Sequence, residues 1–468
     1  MAGGAATVAW LNLRSHALRT RWETVHARVG PLELAVALGT ALVAVAGTIG
    51  ADSRWLSALG RVIIDRGHIP DGVPYASAPS AGWHNVPVLA ELILHWSTSA
   101  AGDRGLLAAQ VVAVALGLAV LALTLRREGA DDLAAALVLL VVVVGALPTL
   151  VIVRSQLFSL LLFPVLIALL RAEARAPSAR IWLLPLLFVL WSNLHGAVLV
   201  GFAVSAAYLV LARARRQPLV AAGALVASAL AVSVTPALEH TADYYLGVLR
   251  NDAARRGIGL WAPLSFHSGF DLLLLAAALV LLVLALRARP ALWELVALAA
   301  LAVLTVRTAR SGVWLLFFAA APAARSLRLE PGRTSPLAGP ALLVAAALAG
   351  FGLVRGPSAK DAGEPLLHTA LARAAGTPIL AEALPAEQVA LAGGRVWMSN
   401  PLDAFPLHDQ RVYLDWLEGR PGGGDALRHA PRVVIAIRGS AAAKRLRRSH
   451  AFERIDEDAD AALYVRRR

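Results

Sequence analysis

Residues 133–153 read LAAALVLLVVVVGALPTLVIV, without a single charged side chain. A membrane-spanning helix needs about 20 mostly apolar residues, because roughly 30 Å of hydrocarbon is crossed at about 1.5 Å per residue. A spanning β-strand would instead alternate apolar and polar positions over about ten residues. This stretch does not alternate, so it reads as a helix that crosses a bilayer.

Runs of the same kind lie on both sides of it. Eleven spans are expected, at about 32–50, 105–125, 132–153, 155–171, 180–192, 196–212, 218–236, 271–287, 291–307, 311–325 and 338–354. The fifth is short, holds Pro185 and ends at Asn193. The first follows Arg14, Arg19, Arg21 and Arg28, as a secretory signal would. Its apolar stretch is longer than the 7–15 residues of a signal core, so it reads as a retained helix.

Composition points the same way. Of 468 residues, 58% are hydrophobic and only 16% charged, where a soluble domain carries about a quarter. The net charge of +13 does not indicate nucleic acid, because the Arg residues sit in short loops and in the tail rather than on one amphipathic face. Cysteine is absent, which removes disulfides and thiolate metal sites.

Arg counting in the short loops sets the orientation. With the amino terminus inside, the inner connections carry Arg126 and Arg127, then Arg171, Arg175 and Arg180, then Arg213, Arg215 and Arg216. Arg287 and Arg289, and Arg325, Arg328 and Arg333, follow. The short outer connections carry only Arg154 and the pair Arg307 and Arg310. Three parts result: a basic cytoplasmic segment 1–31, a transmembrane domain 32–354 with long outer loops 51–104 and 237–270, and a soluble extracytoplasmic domain 355–468. In the first outer loop, Val86–Ser97 is apolar but too short to span, and reads as an interfacial helix. In the tail, Thr377–Ala381, Arg395–Met398, Val433–Ile437 and Ala462–Val465 read as strands between helical stretches, an α/β pattern. No G-x-G-x-x-G follows a strand, so no dinucleotide site is indicated.

Polar residues at the span ends gather on the outer face. Asp52 follows the first span, and Trp83, His84, Asn85 and Glu91 flank or lie on the interfacial helix. Arg154 and Gln156 join spans three and four, while Asn193 and His195 join five and six. His240, Asp243 and Tyr244 open the second long loop, and Arg307 and Arg310 cap the ninth span. Ionisable groups near the hydrocarbon edge are costly and mark function or pairing. Singly, an Arg at a span end is a snorkelling anchor, and Trp191 and Trp261 read as aromatic-belt residues. Together the residues describe a polar cleft suited to an anionic, hydroxyl-rich ligand at the membrane surface.

Several short motifs are familiar: Asp52-Ser-Arg-Trp55, Gly67-His-Ile-Pro70, Gly82-Trp83-His-Asn85 with Glu91, Arg154-Ser-Gln156, Trp191-Ser-Asn193-Leu-His195-Gly196, and Arg307-x-x-Arg310. Over about residues 31–325 the chain resembles bacterial polytopic proteins similar to the GT-C class of glycosyltransferases. The resemblance implies a mainly α, GT-C-like membrane bundle and an inverting transferase that takes sugar from a polyprenyl phosphate. It also implies an acid just after the first span as base, the position Asp52 matches. Arg154, Arg307 and Arg310 are the candidates to stabilise the departing phosphate, because Arg forks match phosphate oxygens. Tyr244 and Trp83 are candidate sugar-stacking faces. The implied partners are membrane lipid, a polyprenyl-phosphate sugar donor and a glycan, lipid or protein acceptor. The implied location is the bacterial cytoplasmic membrane.

Two departures stand out. Val86-Pro87 replaces a His-Glu pair, and Ser53 follows Asp52 where a second acid is often found; His84 or Asp243 are possible substitutes. Asp52, His84, His195 and Asp243 are thinkable ligands for a divalent cation, although no H-E-x-x-H-type spacing supports a metal site. In the tail, Asn400–Phe405 and Tyr413–Trp416 resemble elements that follow the spans in the same group, with acceptor recognition or a cap over the cleft as their expected role. Two other functions remain open: a transporter or flippase, and a catalytically inactive envelope-assembly protein.

Overall fold

The computed structural model describes residues 29–327, 329, 337–358, 365–429 and 432–467, so nearly all of the basic segment 1–31 lies outside the described residues. Helix α1 (Pro31–Ala46) leads into strand β1 (Thr48–Ile49), then α2 (Ser53–Arg66), α3 (Val88–Ala101), α4 (Asp103–Arg127), α5 (Asp132–Gly145) and α6 (Leu147–Val151). Strand β2 (Ile152–Val153) precedes α7 (Leu157–Arg175), α8 (Leu183–Ser192), α9 (Val198–Leu211) and α10 (Pro218–Val232). After α11 (Thr241–Arg250) and α12 (Asp252–Arg256) come α13 (Gly269–Arg287), α14 (Leu292–Arg307), α15 (Gly312–Ser326) and α16 (Ala338–Arg355).

A helix stands over each expected span, and the chain is a multi-pass membrane protein. Among the described residues, five helices reach 18 residues with spanning composition: α4, α7, α9 with the turn to Arg215, α13 and α16. Others are shorter. The 14 residues of α5 measure only about 21 Å. Residues 133–153 are therefore not one helix. It breaks at Gly145, restarts at Leu147 and finishes as the strand β2, because Pro148 lacks the N–H that a continuous helix needs there. Irregular backbone at this depth survives only where protein covers it, and those covered breaks are where the polar residues collect.

Helix α15 is the central post, with every residue from Gly312 to Ala324 buried. Phe163, Phe188, Trp191 and Phe318 pack in the same core. Trp191 is fully buried, which corrects its reading as a belt residue. Helix α16 presents Leu343, Val344, Leu348 and Phe351 outward, as a lipid-facing helix does.

The tail adds α17 (Leu367–Ala374), β3 (Ile379–Ala381), α18 (Ala383–Leu391), α19 (Leu407–Glu418), α20 (Ala426–His429), β4 (Val433–Ile437), α21 (Ala441–Arg447), β5 (Phe452–Glu457) and β6 (Ala461–Arg466). The sheet order is β3-β4-β6-β5, with β3 parallel to β4 and the other pairs antiparallel. The expected strand at 395–398 is only a connector: Val396 bridges to Ile379 on one side and Ala76 on the other. Strand β5 was not foreseen, because Phe452–Glu457 carries four charged residues on an edge strand.

The tail does not make its core alone. Trp55, Leu59, Val62, Val73 and Tyr75 of the first outer loop pack with Leu380, Trp397, Tyr413 and Trp416. The second outer loop joins through Arg256, which reaches Asp415 and Glu418 at 2.7 Å each. First loop, second loop and tail form one cap over the ends of the membrane helices.

Candidate functional site

The site is built on a two-residue parallel ladder, Thr48 opposite Ile152 and Ile49 opposite Val153, extended by the Gly50 N–H to the Val153 carbonyl at 3.0 Å. The ladder brings the end of the first span beside the break after the third. Position 50 must be glycine, since a Cβ there would lie 2.3 Å from Ile152 and 2.8 Å from Arg154 Nε. That clearance lets the Arg154 side chain lie across the strand end, and its buried Nε has no hydrogen-bond partner among the described residues.

Asp52 then turns through φ +85°, in the left-handed region that L side chains seldom adopt. Strain of this kind, of order 1–3 kcal/mol, persists only where the surroundings over-determine it. Here the tail does so. The Asp52 N–H donates to Glu387 Oε1 at 2.7 Å, and Asn400 Nδ2 donates to Asp52 Oδ1 at 2.9 Å. Burial pushes the Asp52 carboxyl up, while the charges of Arg154 and Arg310 and the Asn400 bond pull the other way. Glu387 is pushed up to about 8 by burial and then by the charge of Asp52.

Arg310 is half-buried with its guanidinium 4.6 Å from the Trp261 ring, a cation–π contact. Burial lowers it to about 10, with Asp52 opposing, so it stays charged. A cleft of about 150 Å³ opens beside Arg154 and Arg310, with Gln156 and Asp271 polar on its wall and Phe270, Leu274 and Val313 apolar. His195 also feels the Arg310 charge, and burial followed by that charge lowers it to about 3. The Ser159 hydroxyl accepts the Trp191 indole N–H at 2.7 Å, which leaves its own proton for His195 Nδ1, also at 2.7 Å. The Ala197 N–H points to the same nitrogen at 3.2 Å. His195 is therefore neutral, with its proton on Nε2 as a fixed donor.

Trp83 donates its indole N–H to Asp403 at 2.9 Å and lies 6.2 Å from Tyr244. Asp403 is pushed up to about 6 by burial against that bond. Burial and then the charges of Asp403, Glu91 and Asp52 raise the Tyr244 phenol, so this aromatic corner borders the carboxylates.

Other residues singled out from the sequence do not line the cleft beside Arg154 and Arg310. Arg307 is exposed. His84 is exposed and stacks on His240 at 4.0 Å, and the Asp243 side chain is 79% exposed. Asn193 ties helix ends together through the Val189 and Val234 carbonyls at 2.8 and 2.7 Å. Asn85 is buried and donates to both oxygens of Glu91. Burial pushes Glu91 up to about 8. Among the described residues no group of three His, Asp or Glu side chains could hold a metal ion.

Glu387, Asn400, Asp403, Ser159 and Trp261 escaped the sequence reading as site residues. Asn400 and Asp403 belong to the Asn400–Phe405 motif. Glu387 carries no local signal beyond being an acid just ahead of the apolar run Val389–Gly393.

No protein-family model matches the chain, and no curated protein matches it significantly. Solved structures do. ArnT from Cupriavidus metallidurans bound to undecaprenyl phosphate superposes with a TM-score of 0.52 at 13% identity, covering 95% of this chain and 98% of that one. The apo state of the same protein gives 0.50 at 14% identity, over 96% and 98%. Superposition along nearly the whole of both chains shows that this chain has the GT-C fold.

Proposed function

We propose that this chain is an integral membrane glycosyltransferase that moves a sugar from a polyprenyl-phosphate donor to a glycan, lipid or protein acceptor. The reaction takes place at the outer face of a bacterial cytoplasmic membrane, with the amino terminus inside. One observation carries the reading: a strained, half-buried carboxylate, Asp52, lies in the field of Arg154 and Arg310 beside a cleft with one apolar wall. The likeness in fold to a protein solved with undecaprenyl phosphate supports the choice of donor.

In this mechanism the acceptor hydroxyl oxygen attacks the anomeric carbon while Asp52 takes its proton. The bond from that carbon to the phosphate oxygen breaks, the phosphate leaves with the electron pair, and the anomeric centre inverts. A base works best when its pKa approaches the working pH, and burial moves Asp52 in that direction. Arg154 and Arg310 meet the charge that builds on the phosphate, where preorganised donors have their largest effect. The unpartnered Arg154 Nε and the His195 Nε2–H are donors in place before the ligand arrives. Glu387 is a positioning residue, holding the Asp52 backbone through its N–H.

The test is transfer by the purified full chain in lipid nanodiscs, given a bacterial polyprenyl-phosphate-sugar extract and followed by mass spectrometry. Free polyprenyl phosphate should accumulate with the wild type and stay at background with Asp52→Asn. Wild-type turnover by that variant would remove Asp52 as base. A second reading, an inactive envelope-assembly protein, draws on buried Val86 standing where the resembling proteins carry His. No turnover by the wild type on any fraction of the extract would favour it.

A further inference from the structure

A second cleft, of about 380 Å³, lies at the other end of the bundle. Helix direction places it there: α7 leaves the region of Arg154 and ends at Arg175, and α14 starts at Leu292 and runs toward Arg307. Six guanidinium groups line this cleft: Arg171, Arg175, Arg213, Arg215, Arg216 and Arg325. Glu128 and Glu294 are the carboxylates on its wall.

Ion pairing explains part of the arrangement. Arg171 bonds Glu294 at 2.8 Å, Arg325 bonds Glu128 at 3.1 Å, and Arg175 also pairs with Glu128. Arg213 bonds Glu173, which lies behind it, at 2.9 Å. These contacts lock helix ends together, as buried pairs do. A lock alone would balance its charges, and this one does not. Among the described residues, six cations against three carboxylates leave a surplus of three. Arg215 and Arg216 are exposed and form no ion pair among the described residues. The Nε atoms of Arg171 and Arg213, residues only 2% and 3% exposed, are buried without a hydrogen-bond partner among the described residues. Leu292 on the same wall is 48% exposed, which gives the cleft an apolar edge.

Surplus charge, unspent guanidinium donors and an apolar edge together fit one ligand chemistry. Guanidinium forks match phosphate oxygens, and basic pockets between membrane helices at a bilayer face take anionic headgroups. We infer that this cleft binds a phosphate ester, presented either by an anionic phospholipid of the adjacent leaflet or by a free phosphate-bearing anion. It is a site separate from the one around Asp52.

The experiment uses the full chain in neutral detergent and native mass spectrometry. One arm titrates phosphatidylglycerol against phosphatidylcholine, and the other titrates inorganic phosphate. The comparison protein is Arg215→Ala/Arg216→Ala, at two exposed positions where folding is not at stake, with Arg216→Glu as a second variant. Phosphatidylglycerol should bind at least tenfold more tightly than phosphatidylcholine. Both variants should lose most of that preference, and added salt should weaken it. Phosphatidylglycerol binding that resists millimolar inorganic phosphate assigns the lipid source. Saturable phosphate binding that competes with the lipid and falls in the variants assigns the free anion. Equal retention of both lipids with no phosphate binding, or identical binding by wild type and variants, would overturn the inference.

Discussion

Sequence alone pairs Arg307 with Arg310, and the structure separates them, which makes the pair a sharp test. Arg310 sits half-buried on the Trp261 ring beside Arg154 and Asp52, whereas Arg307 points to the exterior. A hydrogen bond to a charged group is worth about 1.5–3 kcal/mol, and each 1.4 kcal/mol is about tenfold in affinity. Arg310→Ala should therefore weaken undecaprenyl phosphate binding roughly ten- to hundredfold. Arg307→Ala, a surface change worth about 0.5 kcal/mol or less, should leave it within about twofold. Arg310→Lys should fall between, because it keeps the charge and loses the planar fork and its stacking on Trp261. Removing Arg310 also removes one of the two cations that pull the Asp52 pKa down, so the limb of the pH–rate profile reporting Asp52 should move to higher pH. Binding by thermophoresis on the detergent-solubilised full chain reads the first effect, and the pH–rate profile reads the second. Equal losses for the two alanine variants, or none for either, would refute the assignment of Arg310 to the phosphate.

Three further outcomes follow from the same geometry. Glu387 carries a raised pKa, so its stabilising contribution is complete below about pH 4.5 and is lost as pH rises through about 8. Thermal unfolding of the wild type should show this alkaline decline, and Glu387→Gln, a neutral mimic of the protonated acid, should flatten it. Ser159→Ala removes the hydroxyl shared by Trp191 and His195. The buried groups left unpaired should cost about 1–3 kcal/mol, read as a lower Tm, and turnover should drop as His195 loses its fixed tautomer. Arg256→Ala breaks the clasp between the second outer loop and α19. Limited proteolysis should then release the tail faster while the membrane helices stay intact.

The bundle was legible in the sequence because uninterrupted apolar runs have only one use at this length. The local breaks were less so. Nothing in 133–153 shows that Ile152 and Val153 would pair with Thr48 and Ile49, since a two-residue ladder depends on what lies opposite, which a run of valines does not encode. Alternation of spans groups Asp52, Arg154 and Arg310 at one end, and the structure brings the three together. Alternation alone does not rank residues within that face. Arg307 and Arg310 are three positions apart around a turn, and only packing against Trp261 distinguishes them. In the sequence, His84 and Asp243 of the two outer loops are the candidates to substitute for the missing acid. The structure instead sets Glu387 beside Asp52, a contact across 335 positions that no local pattern announces.

The sheet order has a consequence for how such a protein matures. Strand β6 is the last strand in sequence yet lies inside the sheet, between β4 and β5. The layer that carries Glu387 and Asn400 to Asp52 therefore has a hole in it until residues 461–466 arrive. Insertion of the helices during synthesis leaves Asp52 without the contacts of Glu387 and Asn400. On the proposed function, transfer is expected only once this late strand is in place.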